Sequence, residues 1–313
     1  MIPEKLDLPC LIKADTLKVT SPSSVVFLCG GAFDGALSQP QVLRDAFFRM
    51  KGPASVVYDI ILAEDADPLT ADAGYFDLLS FESDIAQVVG LILLFVESAG
   101  SLAELGAFAA LDTIAPSLLA VLASAHYDSR SFVRNGPVAY LERRHGDEAI
   151  HVLDCDEIGL SADGHIRDLN MLAFAESMLT VVSARLRSKP KWSKYNQGNA
   201  GHVILLIVGL CHEYGALTQE EIRSFCESLG VREIRFHNFV YCASLLGWIK
   251  KIRKGNHVFY ASSSPQSAVE FSFRGQSGYK QRIRFRSDLR AHYRDTKDFS
   301  RLNAIAFATG SLS

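Results

Sequence analysis

In Phe95-Val96-Glu97-Ser98-Ala99-Gly100-Ser101-Leu102-Ala103-Glu104-Leu105-Gly106, a carboxylate follows a Gly-Ser pair by three residues. If Gly100-Ser101 opens a helix, its unbonded amides face an anionic or hydroxyl-rich ligand, with Glu104 about one turn inside on the same side. A carboxylate at that depth would sit beneath a bound sugar. The same S-x-x-E spacing also describes a capping box, with Ser101 as N-cap and Glu104 as its partner. A second loop, Phe27-Leu28-Cys29-Gly30-Gly31-Ala32, ends an apolar run with two glycines. They let bare backbone approach a ligand, or simply make a tight turn.

Both loops follow runs that read as buried parallel strands. Val25–Cys29 is short, apolar and β-branched, and residues 88–96 form the most hydrophobic strand of the chain. Further strands are expected at 56–60, 117–122 and 150–153. They alternate with helices at 42–50, 75–86, 102–111 and 138–144, and a long amphipathic helix covers 169–187. Such alternation predicts an α/β fold with a doubly wound parallel sheet, in which ligands bind beyond the C-terminal strand ends.

Ser188–Gly201 is polar, basic and rich in helix breakers, and marks a linker between domains 1–187 and 202–313. From Gly198 onward there are 16 Lys+Arg against 9 Asp+Glu, which leaves 16 against 26 of the totals of 32 and 35 before it. The rear half is thus suited to a polyanion and the front is not. Its pattern predicts helices near 203–212, from Thr218 (N-cap, with Glu221 at the capping-box position) and at 231–246. A hairpin turning at Lys254-Gly255-Asn256 follows. This is the outline of a smaller, winged-helix-like domain. Lys250, Lys251, Arg253 and Lys254 would form a basic wing. In Arg274–Arg294, Lys280, Arg282, Arg284, Arg286, Arg290 and Arg294 accompany a single acid, Asp288. Read as an extended segment, Arg282, Arg284 and Arg286 share one face and could meet successive phosphates, or could keep a strand edge soluble.

The six cysteines form no CxxC pair and no metal-ligand spacing with the nine histidines, so no metal site is expected. MIPEKLDLPC lacks the basic start and apolar run of a signal peptide, and the longest apolar runs are far below the ~20 residues of a membrane-spanning helix. A cytoplasmic protein with reduced thiols, not bound to membrane, is the expectation.

The FLCGG loop, the stretch LLSFESDIAQVVGLILLFVESAGSLAELGAF and Ser129-Arg130-Ser131-Phe132-Val133-Arg134-Asn135-Gly136-Pro137 follow one another in the chain. Together they resemble three blocks of the nucleoside 2-deoxyribosyltransferase-like effectors of bacterial retrons. Retrons are antiphage systems built from a reverse transcriptase, its RNA–DNA product (msDNA) and a toxin. The likeness covers roughly residues 24–145; beyond it the chain agrees in layout more than in residues. It implies that Glu104 is the nucleophilic glutamate that forms a glycosyl ester once the base departs. It also puts Glu97 where such enzymes carry an acid contacting sugar hydroxyls, and Glu82 near a further acidic position, with Glu for the family's Asp at both. Cys29, Gly30, Gly31, Ser98, Gly100 and Ser101 of the two loops become substrate-binding candidates. Asn135 could face the site from this or a neighbouring subunit, or be a turn-forming Asn before Gly.

The implied activity is that of an antiphage toxin cleaving a nucleotide N-glycosidic bond. NAD, hydrolysed to ADP-ribose and nicotinamide, is the foremost substrate, and no cofactor is needed. The implied partners are the retron reverse transcriptase and its RNA–DNA, in a higher-order assembly or homo-oligomer. A rival reading is a non-enzymatic winged-helix regulator whose front domain senses a nucleotide. A third, a lysine-decarboxylase-like phosphoribohydrolase, would need a PGGxGTxxE loop that the sequence lacks.

Overall fold

The computed structural model describes residues 3, 6–32, 37–50, 58–274 and 279–310. The chain folds into two compact units, one of residues 23–67 and 85–189, the other of residues 1–22, 68–84 and 190–313. The passage at 189/190 falls inside the expected linker, whereas residues 1–22 and 68–84 join the C-terminal segment.

The first unit is built on five strands. These are β1 Val25–Cys29, β2 Asp59–Leu62, β3 Leu91–Phe95, β4 Leu118–Ala123 and β5 Ile150–Leu153. All pair in parallel, in the order β2-β1-β3-β4-β5. The α/β parallel sheet expected from the sequence is therefore present. Its second strand lies slightly later than expected, and residues 56 and 57 fall outside the described part. Every residue of β1, β3 and β4 is buried, as strands covered on both faces must be. On one face Val26, Leu28, Leu93, Phe95 and Val121 pack with Leu43 and Phe47 of α1 (Leu43–Arg49) and with Phe174, Met178 and Val182 of a long C-terminal helix. On the other, α2 (Ala99–Ala110) lies against β3 and β4 through buried Leu105 and Phe108. After it come α3 (Ala139–His145) and, after β5, the long helix α4 (Met171–Ser188).

Strand order reverses between β1 and β3. The two loops singled out by their residue types both leave the C-terminal ends of these strands, where a doubly wound sheet opens a crevice. Cys29 is paired in register with Leu94, and Gly30 lies against Phe95, so the two loops leave the sheet side by side.

In the second unit α5 (Ala200–Tyr214) runs through the core, with residues 203–211 all buried. Its N-cap is Asn199, whose side chain accepts from the His202 N–H at 2.9 Å. The short strand β6 (Ala216–Leu217) leads to α6 (Gln219–Ser228), opened by the expected Thr218/Glu221 capping box. Next are α7 (Phe236–Leu245) and the hairpin β7 (Ile249–Lys254) and β8 (His257–Ser262), turning at Gly255 with φ +60°. The sheet order is β6-β8-β7.

The expectation for the arginine-rich stretch is overturned. Tyr279–Asp295 is a helix, α8, not an extended segment, and it is followed by α9 (Phe299–Ala308). The reason is a four-residue period that competes with the two-residue one. Phe285, Leu289 and Tyr293 are buried, whereas Ser287, which would share their face in a strand, is exposed.

Candidate active site

Helix α2 begins at Ala99, earlier than its apolar pattern suggests. Ser98 is its N-cap: its hydroxyl accepts from the Ser101 N–H at 3.1 Å, and the Ser101 hydroxyl accepts from the Ser98 N–H at 2.8 Å. Ser101, itself buried, also accepts from the Glu97 N–H at 2.9 Å. The capping box is thus formed by Ser98 and Ser101, not by Ser101 and Glu104. This frees Glu104 from the capping role, while Ala99 and Gly100 present their amides at the exposed helix end.

Glu104 is half-buried, and its Oε2 is enclosed without a hydrogen-bond partner among the described residues. A buried acceptor without a partner is costly in a native fold and is a place to look for a role. Burial pushes the Glu104 carboxyl above its usual range; the Arg44 guanidinium pulls it back, and Glu64 adds to the rise. Arg44, on α1, is itself only 1% exposed. It donates to the carbonyls of Leu28 (3.0 Å) and Gly31 (3.4 Å) and forms a bidentate pair with Glu64, whose carboxyl it holds below the usual range. A cation is thereby fixed beneath the β1 loop, close enough to act on Glu104. Neither Arg44 nor Glu64 stands out in the sequence.

Glu97 does a different job. Its carboxylate accepts from the backbone N–H of Leu43 (2.6 Å) and of Arg44 (3.1 Å), the first amides of α1, and bonds the backbone of Gly31. It thus caps a helix whose own N-cap, Val42, has no side chain to offer. Burial pushes Glu97 up to about 7, against those three amides. The glycines are needed here for space. A Cβ on Gly30, whose φ is +145°, would stand 3.0 Å from the Phe95 carbonyl, and one on Gly31 would stand 3.2 Å from Glu97 Cγ. Cys29, Gly30, Gly31, Glu97, Ser98, Gly100, Ser101 and Glu104 therefore lie at one edge of the sheet, at and beyond the C-terminal ends of β1 and β3.

Two other candidates lie elsewhere. Glu82 is buried on the helix Leu78–Ile85, in the segment that belongs to the second unit. Asn135 is exposed in the π-helical turn Arg134–Val138, where it donates to the Ser131 carbonyl at 3.1 Å. It lines a shallow hollow with Gly106, Ala109 and Ala110, on the side of α2 turned away from Glu104. Among the described residues no group of three His, Cys, Asp or Glu lies close enough to hold a metal ion.

Residues 40–251, which carry Arg44, Glu64, Glu97 and Glu104, match the family described as STM3845 retron effector protein. The chain belongs to that family. It is also 31% identical over 170 residues to an Escherichia coli protein named "Retron Ec86 putative ribosyltransferase/DNA-binding protein", which is 54% of this chain and 53% of that one. The aligned stretch spans about half the length of this curated relative.

In this retron effector the basic candidates divide into two sets. Lys250, Lys251 and Arg253 are exposed on β7, and Lys254 is half-exposed at the turn. On α8, helical spacing turns Arg282 and Arg286 inward. Both bond the fully buried carboxylate of Glu213, Arg286 through Nε at 3.0 Å, and Arg282 also donates to the Val269 carbonyl at 2.7 Å. The two arginines hold Glu213 below its usual range although burial works the other way. Arg284 points elsewhere, toward Asp288 at 3.8 Å, and Arg294 is exposed. Arg290 is half-buried, and that burial holds its guanidinium below the usual range. The side chain of Lys280 lies outside the described residues. No helix among the described residues is long and apolar enough to cross a membrane.

Proposed function

We propose that the first unit cleaves the N-glycosidic bond of a nucleotide with Glu104 as nucleophile, and that NAD is its substrate. The observation that carries this reading is the enclosed Oε2 of Glu104 at the strand-order reversal, without a hydrogen-bond partner among the described residues and within the field of the Arg44 cation. A carboxylate used for structure has its buried oxygens hydrogen-bonded; Oε2 of this one is enclosed with no such bond among the described residues. Burial raises its basicity, and the Arg44 cation opposes that rise by favouring the carboxylate that a nucleophile needs.

In the first step a Glu104 oxygen bonds the anomeric carbon as the carbon–nitrogen bond breaks. The bonding pair passes to the nicotinamide ring nitrogen and cancels its positive charge, so no proton donor is required. In the second step water attacks the same carbon, the glycosyl ester opens, a proton passes to solvent, and ADP-ribose leaves with the carboxylate restored. The amides of Ala99 and Gly100 at the exposed start of α2 suit the pyrophosphate of the same molecule. The helix order and basic hairpin of the second unit support a winged-helix-like, nucleic-acid-docking role. The relative's name, which includes DNA binding, points the same way. The partners of this reading are a retron reverse transcriptase and its RNA–DNA, with activity controlled by assembly.

Nicotinamide release from NAD by the purified protein, alone and with the reverse transcriptase complex, tests the proposal. Release that is abolished in Glu104→Gln supports it. No release from NAD or from any nucleoside under either condition would leave a nucleotide-sensing regulator as the better account.

A further inference from the structure

Within the second unit, α7, the hairpin and the end of α9 leave a hollow of about 500 Å³ between them. Its walls combine rings and cations: Phe236, Tyr241, Tyr260 and Phe307 with Lys250 and Lys251. The floor is rigid. Phe236 and Tyr260 are buried and meet edge to face at 5.0 Å, and Tyr241 is fixed edge-on against Tyr75 and Phe81 at 6.3 and 5.8 Å. At the rim Phe307 is 54% exposed, and the Lys254 ammonium stands 5.2 Å over its ring. Asp72 also lines the hollow and is paired with Lys251 at 3.2 Å.

A helix that reads a duplex groove carries donors for phosphates and base edges. Residues Phe236–Leu245 include no Lys or Arg. Arg235, just before them, is committed to Asp84 at 2.7 Å and lies over the Phe239 ring. Aromatic faces framed by lysines, in a space that holds a base and its sugar, are the recognition chemistry of single strands. We propose that the hollow between α7 and the hairpin takes an unpaired base of a single-stranded nucleic acid, stacked at Phe307, with Lys250 and Lys251 on its flanking phosphates. This rests on the nucleic-acid-docking reading of the second unit and gives it a specific form: the ligand is a strand with splayed bases, not a continuous duplex.

Fluorescence anisotropy with the full-length protein tests it, using a labelled thymidine oligonucleotide, the same strand in a blunt duplex, and a wholly abasic sugar–phosphate oligomer of equal length. The single strand is expected to bind more tightly than the duplex or the abasic oligomer. Phe307→Ala should weaken single-strand binding about tenfold without changing its salt slope. Lys250→Ser with Lys251→Ser should flatten that slope by about 1.4 units. Equal affinity for the thymidine and abasic oligomers, which needs no altered protein, overturns the base pocket while leaving phosphate docking in place. Binding of none of the three at low salt overturns both.

Discussion

Arg44, almost wholly buried, is the cation that bears on the carboxyl of Glu104, although its hydrogen bonds go to Glu64 and to the β1 loop. One side chain therefore ties the loop at Leu28 and Gly31 to the electrostatics of the proposed nucleophile. Replacing it with Met should move the acidic limb of the pH–rate profile upward, because Glu104 would lose the charge that opposes its burial. Arg44→Lys keeps a cation and should keep most of the limb's position. An unmoved limb in a folded Met variant would remove Arg44 from the account.

Glu97 is the group whose titration should be visible in stability. Its folded value of about 7 lies above the ordinary 4.5, so the folded state binds this proton more tightly than the unfolded chain. The stabilisation from protonation is complete below about pH 4.5 and is lost as pH rises through about 7, at most about 3 kcal/mol in all. Denaturant unfolding of wild type and Glu97→Gln at pH 5 and pH 8 measures it: the difference should shift toward the Gln variant at the higher pH. A difference that ignores pH would show that the amides of Leu43 and Arg44, rather than burial, dominate this carboxylate.

Gly30 should tolerate no side chain. An alanine there would combine a positive φ with a Cβ 3.0 Å from the Phe95 carbonyl. A loss of about 1–3 kcal/mol is expected, together with loss of activity, because the strained loop frames the crevice. Thermal unfolding of Gly30→Ala checks this, and an unchanged midpoint would contradict it.

The helix α8 makes a further, opposite pair of expectations. Arg282→Ser with Arg286→Ser strips both cationic partners from a fully buried carboxylate, leaving it only the Ser267 hydroxyl among the described residues, and should destabilise the second unit by about 3 kcal/mol or more. Arg284→Ser, on the exposed face, should stay within about 0.5 kcal/mol of wild type. Equal effects in urea unfolding would mean that the Glu213 cluster is not what fastens this helix.

These positions also mark how far the sequence could be read. The loops at Gly30 and Ser98 were legible because each ends a run of apolar residues too dense to be anything but a strand covered on both faces. The Thr218/Glu221 box and the Gly255 turn were legible because their chemistry is local. Arg44 was not. Its burial depends on Glu64, 20 residues away, and on two strand-end carbonyls, so nothing within a turn of it signals its place. The start of α2 is hidden for a related reason: Ser98 and Ser101 each fit an N-cap, and the bond from the Ser101 amide to the Ser98 hydroxyl decides between them. In α8 two periods coexist. Arginines at 282, 284 and 286 suggest a strand, while Phe285, Leu289 and Tyr293 suggest a helix. The buried Glu213, contributed by α5, favours the period that brings two arginines to it.

The proposed chemistry stands or falls on a covalent bond at one oxygen. Acid quenching of the protein during turnover of NAD, followed by peptide mass measurement, should find an ADP-ribosyl ester on the peptide that carries Glu104 and on no other. Steady nicotinamide release without that adduct, together with a Glu104→Gln variant retaining more than about a tenth of the rate, would contradict the assignment of Glu104 as nucleophile.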